Sequence, residues 1–349
     1  MQNKLRIAVV GFGLIGKRHC ELISQSPQLD ILGVCDSDTN RLSLAKSFTK
    51  NLYQDLPEML SEIRPDGIIL ATPTPLHKVQ GIQCLSEGIP LLIEKPITVT
   101  SQEAISLIEI SRSNDIHLLT GHHRRHNGII KEAKKVIMDG AIGEIRSVQA
   151  TCWFYKPDHY FNASPWRTKK GAGPLSVNLV HDIDLLRYLC GEIKSVFATS
   201  VPSSRGFENE DTANGIIKFA SGAIGTINIS DSIVSPWSWE LTSNENSSFH
   251  ATNQSCYIIG GSKGSLSLPD LNVWCHNDGL DWMTPINATQ LKHNDVDPLK
   301  EQIEHFARVI RREESPIVSG EEGLKSLKVI EAIMRSCETC KEVSINASI

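Results

Sequence analysis

The run LRIAVVGFGLIG places the hexapeptide Gly11-Phe12-Gly13-Leu14-Ile15-Gly16 where a buried strand gives way to helical spacing. No other feature constrains the fold as tightly. Gly11 permits a tight turn, Gly13 lets a pyrophosphate approach the backbone, and Gly16 lets helix and strand pack closely. The helix that follows offers N–H groups and the positive end of its dipole to phosphate. LDILGVCD reads as the next strand and ends at Asp36, 20 positions after Gly16. A carboxylate there accepts hydrogen bonds from both ribose hydroxyls of an adenosine and repels a 2′-phosphate, which favours NAD over NADP. Arg41, shortly after, tolerates such a phosphate, so NADP stays open. The alternative is a glycine-rich turn without a ligand; it leaves the strand, the helix and the acid unexplained.

The first third of the chain continues this alternation. NRLSLAKSF reads as helix, DGIILATP as strand, VQGIQCLSEG as helix, PLLIEKP as strand, SQEAISLIEISRSN as helix and IHLLTGHH as strand. Parallel strands need crossover connections, so this order predicts an α/β, doubly wound parallel sheet. The texture changes near residue 123. After one helix, GIIKEAKKVIMDG, come longer strand-like stretches joined by polar turns: EIRSVQATCWFYK, EIKSVFATSVP, ANGIIKFASG, AIGTINISDSI and SCYIIGGSKGSLSL. They predict an α+β domain with a large open, mostly antiparallel sheet and helices on one face. Two helical segments, PLKEQIEHFARVIRREE and EEGLKSLKVIEAIMRSCET, end the chain. A length of 349 residues suits two domains. We divide them as 1–122 and 123–349. An open sheet leaves a face to be covered, and a second copy of the chain would cover it.

Composition excludes several classes. The net charge of −5 opposes a nucleic-acid-binding surface, and no polybasic segment suits a membrane surface. The apolar run at the N-terminus is short, broken by glycine and followed by no cleavage pattern, so a soluble cytoplasmic protein is expected. The nine cysteines are scattered, which suits a reducing compartment. Cys337 and Cys340 lack the second pair that a zinc site needs. His122, His123 and His126 are interrupted by Arg124 and Arg125, so no metal is expected.

Ligands of doubly wound sheets bind outside the carboxyl ends of the strands. Ala71-Thr72-Pro73-Thr74-Pro75, with His77 just after, lies at such an end. Thr72 and Pro73 either border the cofactor or form a rigid turn. Glu94-Lys95-Pro96 ends the next strand. There the Lys95 ammonium can hydrogen-bond a reacting oxygen, stabilise an alkoxide or relay a proton. His181, in the helical stretch LVHDIDLLRY, titrates near neutrality and can take a hydroxyl proton as hydride leaves the same carbon. Asp182 and Asp184 orient it or face solvent. A satisfied structural histidine is an equal reading on the residues alone.

At this point the residues resemble a family, the glucose–fructose oxidoreductase / inositol dehydrogenase (Gfo/Idh/MocA) oxidoreductases. The resemblance runs nearly end to end. It rests on GFGLIG, the strand end at Asp36, ATPTPLH, EKP, GAIGEI, the WR at 166–167, GAGPLSVNLVHDIDLLRYLCG and IIKFASGAIGTINIS. It implies a Rossmann domain followed by the open-sheet domain, and NAD(P)-linked hydride transfer on a sugar, a cyclitol or a derivative. It implies Lys95 and His181 as the catalytic pair, a cis peptide between Lys95 and Pro96, and homodimers or homotetramers formed through the open sheet. Glu94 and His77 fall with the cofactor segments. Substrate contacts are expected from Lys95, His123, Arg125, Tyr160, Trp166, Arg167, Asn178 and His181. An arginine among these suits a carboxylate or several hydroxyls. In one place the chain departs from the family, whose dehydrogenases usually carry an aspartate four residues before the histidine. Here that place holds Val177, beside Asn178. Asp182 is the candidate to compensate.

Two competing readings remain, since fold does not fix function. One is a non-catalytic NAD(P)-binding sensor, which the absent aspartate favours and the retention of Lys95 and His181 opposes. The other is an enzyme that keeps its cofactor and cycles it internally.

Overall fold

The computed structural model of the chain describes residues 3–277 and 279–345. It divides into two compact units. Among the described residues, one holds 3–126 together with Val296–Leu327; the other holds Asn127–Asp295 and 328–345.

The first unit alternates strand and helix as expected: β1 (Leu5–Val10), α1 (Leu14–Gln25), β2 (Leu29–Cys35), α2 (Thr39–Ala45), β3 (Leu52–Tyr53), α3 (Leu56–Glu62), β4 (Gly67–Leu70), α4 (His77–Ser86), β5 (Leu91–Ile93), α5 (Ser101–Ser113) and β6 (Leu118–Thr120). The sheet has the order β3-β2-β1-β4-β5-β6, and its strands pair in parallel. Apolar runs form these strands because helices cover a parallel sheet on both faces. Register matters most for function. Val10 pairs with Cys35 and with Leu70, Leu70 with Ile93, and Ile93 with Thr120. The strand ends therefore lie in one row, and the residues just beyond them are Gly11, Asp36, Ala71, Glu94 and Gly121. Sequence reading missed β3 and α3. Two residues are too few to show a period, and α3 is announced only by its cap, where the Asp55 side chain accepts from the Glu58 N–H.

The second unit comprises α6 (Gly128–Met138), β7 (Ile145–Trp153), α7 (Asp158–Asn162), α8 (Pro174–Val177), α9 (Leu179–Cys190), β8 (Ile193–Pro202), β9 (Glu210–Phe219), β10 (Ile224–Ser230), α10 (Trp239–Thr242), β11 (Tyr257–Gly261), β12 (Gly264–Leu268), β13 (Asn272–Cys275) and β14 (Asn287–Gln290). Its nine-stranded sheet runs β14-β13-β12-β11-β7-β10-β9-β8-β15, the last strand being Val343–Ser344. The pairing is antiparallel except between β7 and β10. One face packs on α6 and α9 through Val148, Ala150, Ile217, Ile227, Ile259 and Leu266. The other leaves Phe197, Ile216, Ile224, Ile258 and Trp274 exposed.

The last helices, α11 (Pro298–Ile310) and α12 (Gly320–Thr339), do not follow the single cut at residue 122. Leu299, Ile303, Phe306, Ala307 and Val309 of α11 bury in the first unit with Ile7, Val9 and Ile69. Leu324 and Leu327 of α12 join the first unit's other cluster, while Val329, Ile330 and Ile333 join the core of the second. Residues 296–327 therefore pack with the first unit because of an apolar stripe that a purely local reading cannot assign to a partner.

Candidate active site

In the first unit the hexapeptide takes the shape its glycines predict. Gly11 adopts a φ of +92°, and a Cβ there would stand 2.6 Å from the Ala71 carbonyl oxygen. A Cβ on Gly16 would stand 1.8 Å from the Gly11 oxygen, so this glycine allows α1 to start against the loop. Gly13, the N-cap, differs: a Cβ there would meet nothing within 4 Å. No side chain caps α1. An open approach at Gly13 beside an uncapped helix start is what a pyrophosphate requires. Phe12 is buried with its ring against Phe48, Ile15 is half-buried and Leu14 projects outward.

Asp36 is fixed by the same loop. Its Oδ2 accepts from the Phe12 N–H at 2.6 Å and its Oδ1 from the Asp38 N–H at 2.9 Å. Two backbone donors hold the carboxylate at the end of β2 in one orientation. Arg41 Nη1 stands 3.7 Å from Asp36 Oδ2, and Arg41 Nε stands 3.6 Å from Asp38 Oδ2, so both acids already engage the cation that would tolerate a 2′-phosphate. These groups fit a dinucleotide, whose pyrophosphate Gly13 and the start of α1 would hold and whose ribose Asp36 would hold.

The turns after β4 and β5 are tied together by His77. Its Nε2 lies 2.8 Å from the Thr72 oxygen, and its Nδ1 lies 3.1 Å from the Pro96 oxygen and 3.2 Å from the Ile97 oxygen. Burial holds the His77 pKa below its ordinary value, although these carbonyls work the other way. Thr72 Oγ1 donates to Gln80 at 2.6 Å, and Pro73 is exposed. The Lys95–Pro96 peptide is cis. Glu94 is buried, with Oε1 2.8 Å from His19 Nε2 and Oε2 3.4 Å from the Lys95 N–H. Burial alone would raise its pKa; the His19 hydrogen bond and the charges of His19, His123 and Lys95 bring it below the usual carboxylate value. Gly121 makes room for this carboxylate, which a Cβ would meet at 3.0 Å. Lys95 and His123 are half-buried. Arg125 is buried, with Nη2 3.0 Å from Glu322 Oε2 and Nη1 3.5 Å from the Ile317 oxygen, so this guanidinium braces the last helices. His19 and Glu322 were not foreseen; each is a charged or polar residue on a helix, which in sequence reads as a solvated face.

In the second unit, His181 lies in the first turn of α9, buried, and its N–H donates to the Asn178 carbonyl at 3.0 Å. The two acids after it have other partners. Asp182 accepts from the Tyr257 hydroxyl inside the core, and Asp184 stands 4.0 Å from Arg187, which also binds Glu192 at 3.0 Å. Asn178 is buried at the N-cap, and its Nδ2 donates to Glu240 Oε1 at 3.4 Å. Tyr160 and Arg167 form one stack, with the guanidinium carbon 4.1 Å from the ring centroid and Nη1 donating to the Tyr160 oxygen at 2.6 Å. Trp166 projects outward beside them. Sequence reading missed Lys156, Asp231 and Glu240, which crowd the same region. Among the described residues, no group of three or more His, Cys, Asp or Glu has the arrangement to hold a metal ion, and no helix is long and apolar enough to cross a membrane.

Comparison with known proteins adds the lineage. Residues 5–122 match the model of the oxidoreductase family with an NAD-binding Rossmann fold, and residues 130–267 match the GFO/IDH/MocA C-terminal domain. The chain belongs to this family. This GFO/IDH/MocA protein is therefore an oxidoreductase with an NAD-binding domain. It is 24% identical to the myo-inositol 2-dehydrogenase of Thermotoga maritima, over 98% of each chain. It is 26% identical to the NAD(+)-dependent scyllo-inositol 2-dehydrogenase of Bacillus subtilis, over 94% of this chain and 93% of that one. In fold it is similar to the WlbA dehydrogenase of Bordetella pertussis, solved with NADH and UDP-GlcNAcA, with a TM-score of 0.81, 24% identity and coverage of 99% and 100% of the two chains.

Proposed function

We propose that this protein is an NAD-dependent dehydrogenase that moves a hydride between the nicotinamide and a secondary alcohol or ketone of a sugar, a cyclitol or a sugar acid. One observation carries the reading. Asp36, fixed by two backbone donors at the mouth of the glycine loop, is built to receive ribose hydroxyls and to repel a 2′-phosphate. The named activities of the inositol dehydrogenases support the substrate class by analogy.

In oxidation the carbinol carbon gives up a hydride, the hydroxyl gives up a proton, and the alcohol becomes a carbonyl. The bound nicotinamide supplies the hydride acceptor. His181 takes the hydroxyl proton, and the Lys95 ammonium hydrogen-bonds the same oxygen as negative charge develops on it. Glu94, kept ionised by His19, fixes the backbone from which Lys95 projects. The open backbone at Gly13 serves binding, while Gly16 serves the packing of helix on loop. Outside the site, the exposed apolar residues on one face of the nine-stranded sheet suit a second copy of the chain and support the reading of a homo-oligomer.

The test pairs Lys95→Met with His181→Asn. Each should lower kcat by about 10²- to 10⁴-fold while leaving NADH affinity near wild type. A Lys95→Met protein that turns over like wild type would end the assignment.

A further inference from the structure

Lys156 follows β7, and only 4% of it is exposed. Among the described residues its Nζ has no hydrogen-bond partner. Buried charged donors are almost always hydrogen-bonded, so such a group points to a partner that arrives from outside. Its nearest acid offers charge but no hydrogen bond. Asp231 Oδ2 forms a buried ion pair with it at 3.7 Å, too long for a hydrogen bond, and Arg205 binds Asp231 at 2.8 Å to Oδ1 and 2.8 Å to the main-chain oxygen. The Lys156 Nζ instead lies 5.0 Å from the centre of the Tyr160 ring. Arg167 stacks on that ring at 4.1 Å, and its buried Nε also has no hydrogen-bond partner among the described residues.

Two cations with unused N–H donors thus converge on one aromatic ring. The region also holds acceptors: Glu240, which binds Asn178 Nδ2 at 3.4 Å and whose charge acts on Lys156, and the buried Asn178 Oδ1, which has no hydrogen-bond partner among the described residues. Asn178 caps the turn that carries His181. We propose that Lys156 and Arg167 form a carboxylate subsite, so that the substrate is a sugar acid, its carboxylate on these two cations and its hydroxyls toward Asn178 and Glu240. Two charged donors match the two oxygens of a carboxylate, and a neutral cyclitol would leave both unmet. Burial also lowers the Lys156 pKa from its ordinary value, against the pull of Asp231, Cys152 and Glu240 and with the help of Arg167; an arriving carboxylate would raise it again.

This inference rests on the dehydrogenase reading for its substrate class, and the experiment separates the two. Aldonates, uronates and aldarates are compared with the neutral aldoses and alditols of the same carbon skeleton, by turnover with NAD⁺ and by titration calorimetry on the NADH-loaded protein. Wild type should bind and oxidise an acid at least about tenfold better than its neutral partner. Lys156→Met should lower the acid's kcat/KM about tenfold more than that of the neutral partner, chiefly through KM, and Lys156→Arg should recover part of the preference. Arg167→Gln gives the same readout if Lys156→Met does not fold. Oxidation of neutral polyols with no acid preference, or an acid preference that survives both substitutions, overturns the subsite and leaves the dehydrogenase intact. Acid binding that depends on Lys156 without oxidation of any compound upholds the subsite and sinks the dehydrogenase.

Discussion

At the scale of single residues, the proposed preference for NAD hangs on Asp36. Replacing it with alanine removes a charged acceptor and a repulsive charge together. Asp36→Ala should lower kcat/KM with NAD⁺ by about 10- to 100-fold, the range of one charge-assisted hydrogen bond, and raise the value with NADP⁺. Steady-state kinetics with both dinucleotides checks this, and unchanged selectivity would remove Asp36 from the ribose site. His77 makes a different prediction. Its pKa is lowered in the folded state from about 6.5, so the unfolded chain binds this proton more readily. The stability that neutral His77 contributes is present above that value and is lost as the pH falls toward the folded pKa. Urea midpoints at pH 7.5 and 5.5 should therefore diverge more in wild type than in His77→Gln.

At the scale of elements, the glycine loop separates binding from folding. Gly13→Ala puts its Cβ into open space, so the melting temperature without ligand should stay within about 2 °C of wild type while NAD⁺ binding weakens about tenfold. Gly16→Ala drives a Cβ into the Gly11 backbone and should cost roughly 2–4 kcal/mol of stability. Thermal melts and dinucleotide titrations on the two proteins test both claims. This loop was legible in sequence because strand, glycines, helix and acid constrain one another across 26 positions, from Gly11 to Asp36. The long strands β7 to β10 were legible from their β-branched runs. The allegiance of α11 was not, because its stripe says that it packs and not on what. Phe306, 1% exposed, lies against Gly67 of β4, where a Cβ would approach the ring to 3.0 Å. Lys156 left no trace either, since a lysine after a strand ordinarily reads as a solvated charge, and only tertiary packing on Tyr160 and Asp231 reveals its burial. Around His181, Arg187 stands one helical turn after Asp184 and was within reach of helical spacing, whereas Tyr257, the partner of Asp182, lies on a distant strand that no spacing reveals.

At the scale of the whole molecule, the open face of the nine-stranded sheet is the surface on which the proposed assembly would rest. Phe197 and Ile216 are neighbours across β8 and β9 and both are exposed, and apolar exposure of this kind marks an interaction surface. Sedimentation of wild type should give a dimer or tetramer, and Ile216→Glu should shift it toward monomer. The central claim, however, is the chemistry. Its most direct measurement is the growth of NADH fluorescence when the purified protein is given NAD⁺ and a panel of inositols, aldoses and sugar acids, with Lys95→Met beside it. Reduction of NAD⁺ by at least one compound, lost by about 10²-fold or more in the variant, is the predicted result. Tight NAD⁺ binding with no reduction by any compound, or equal rates in both proteins, would contradict it.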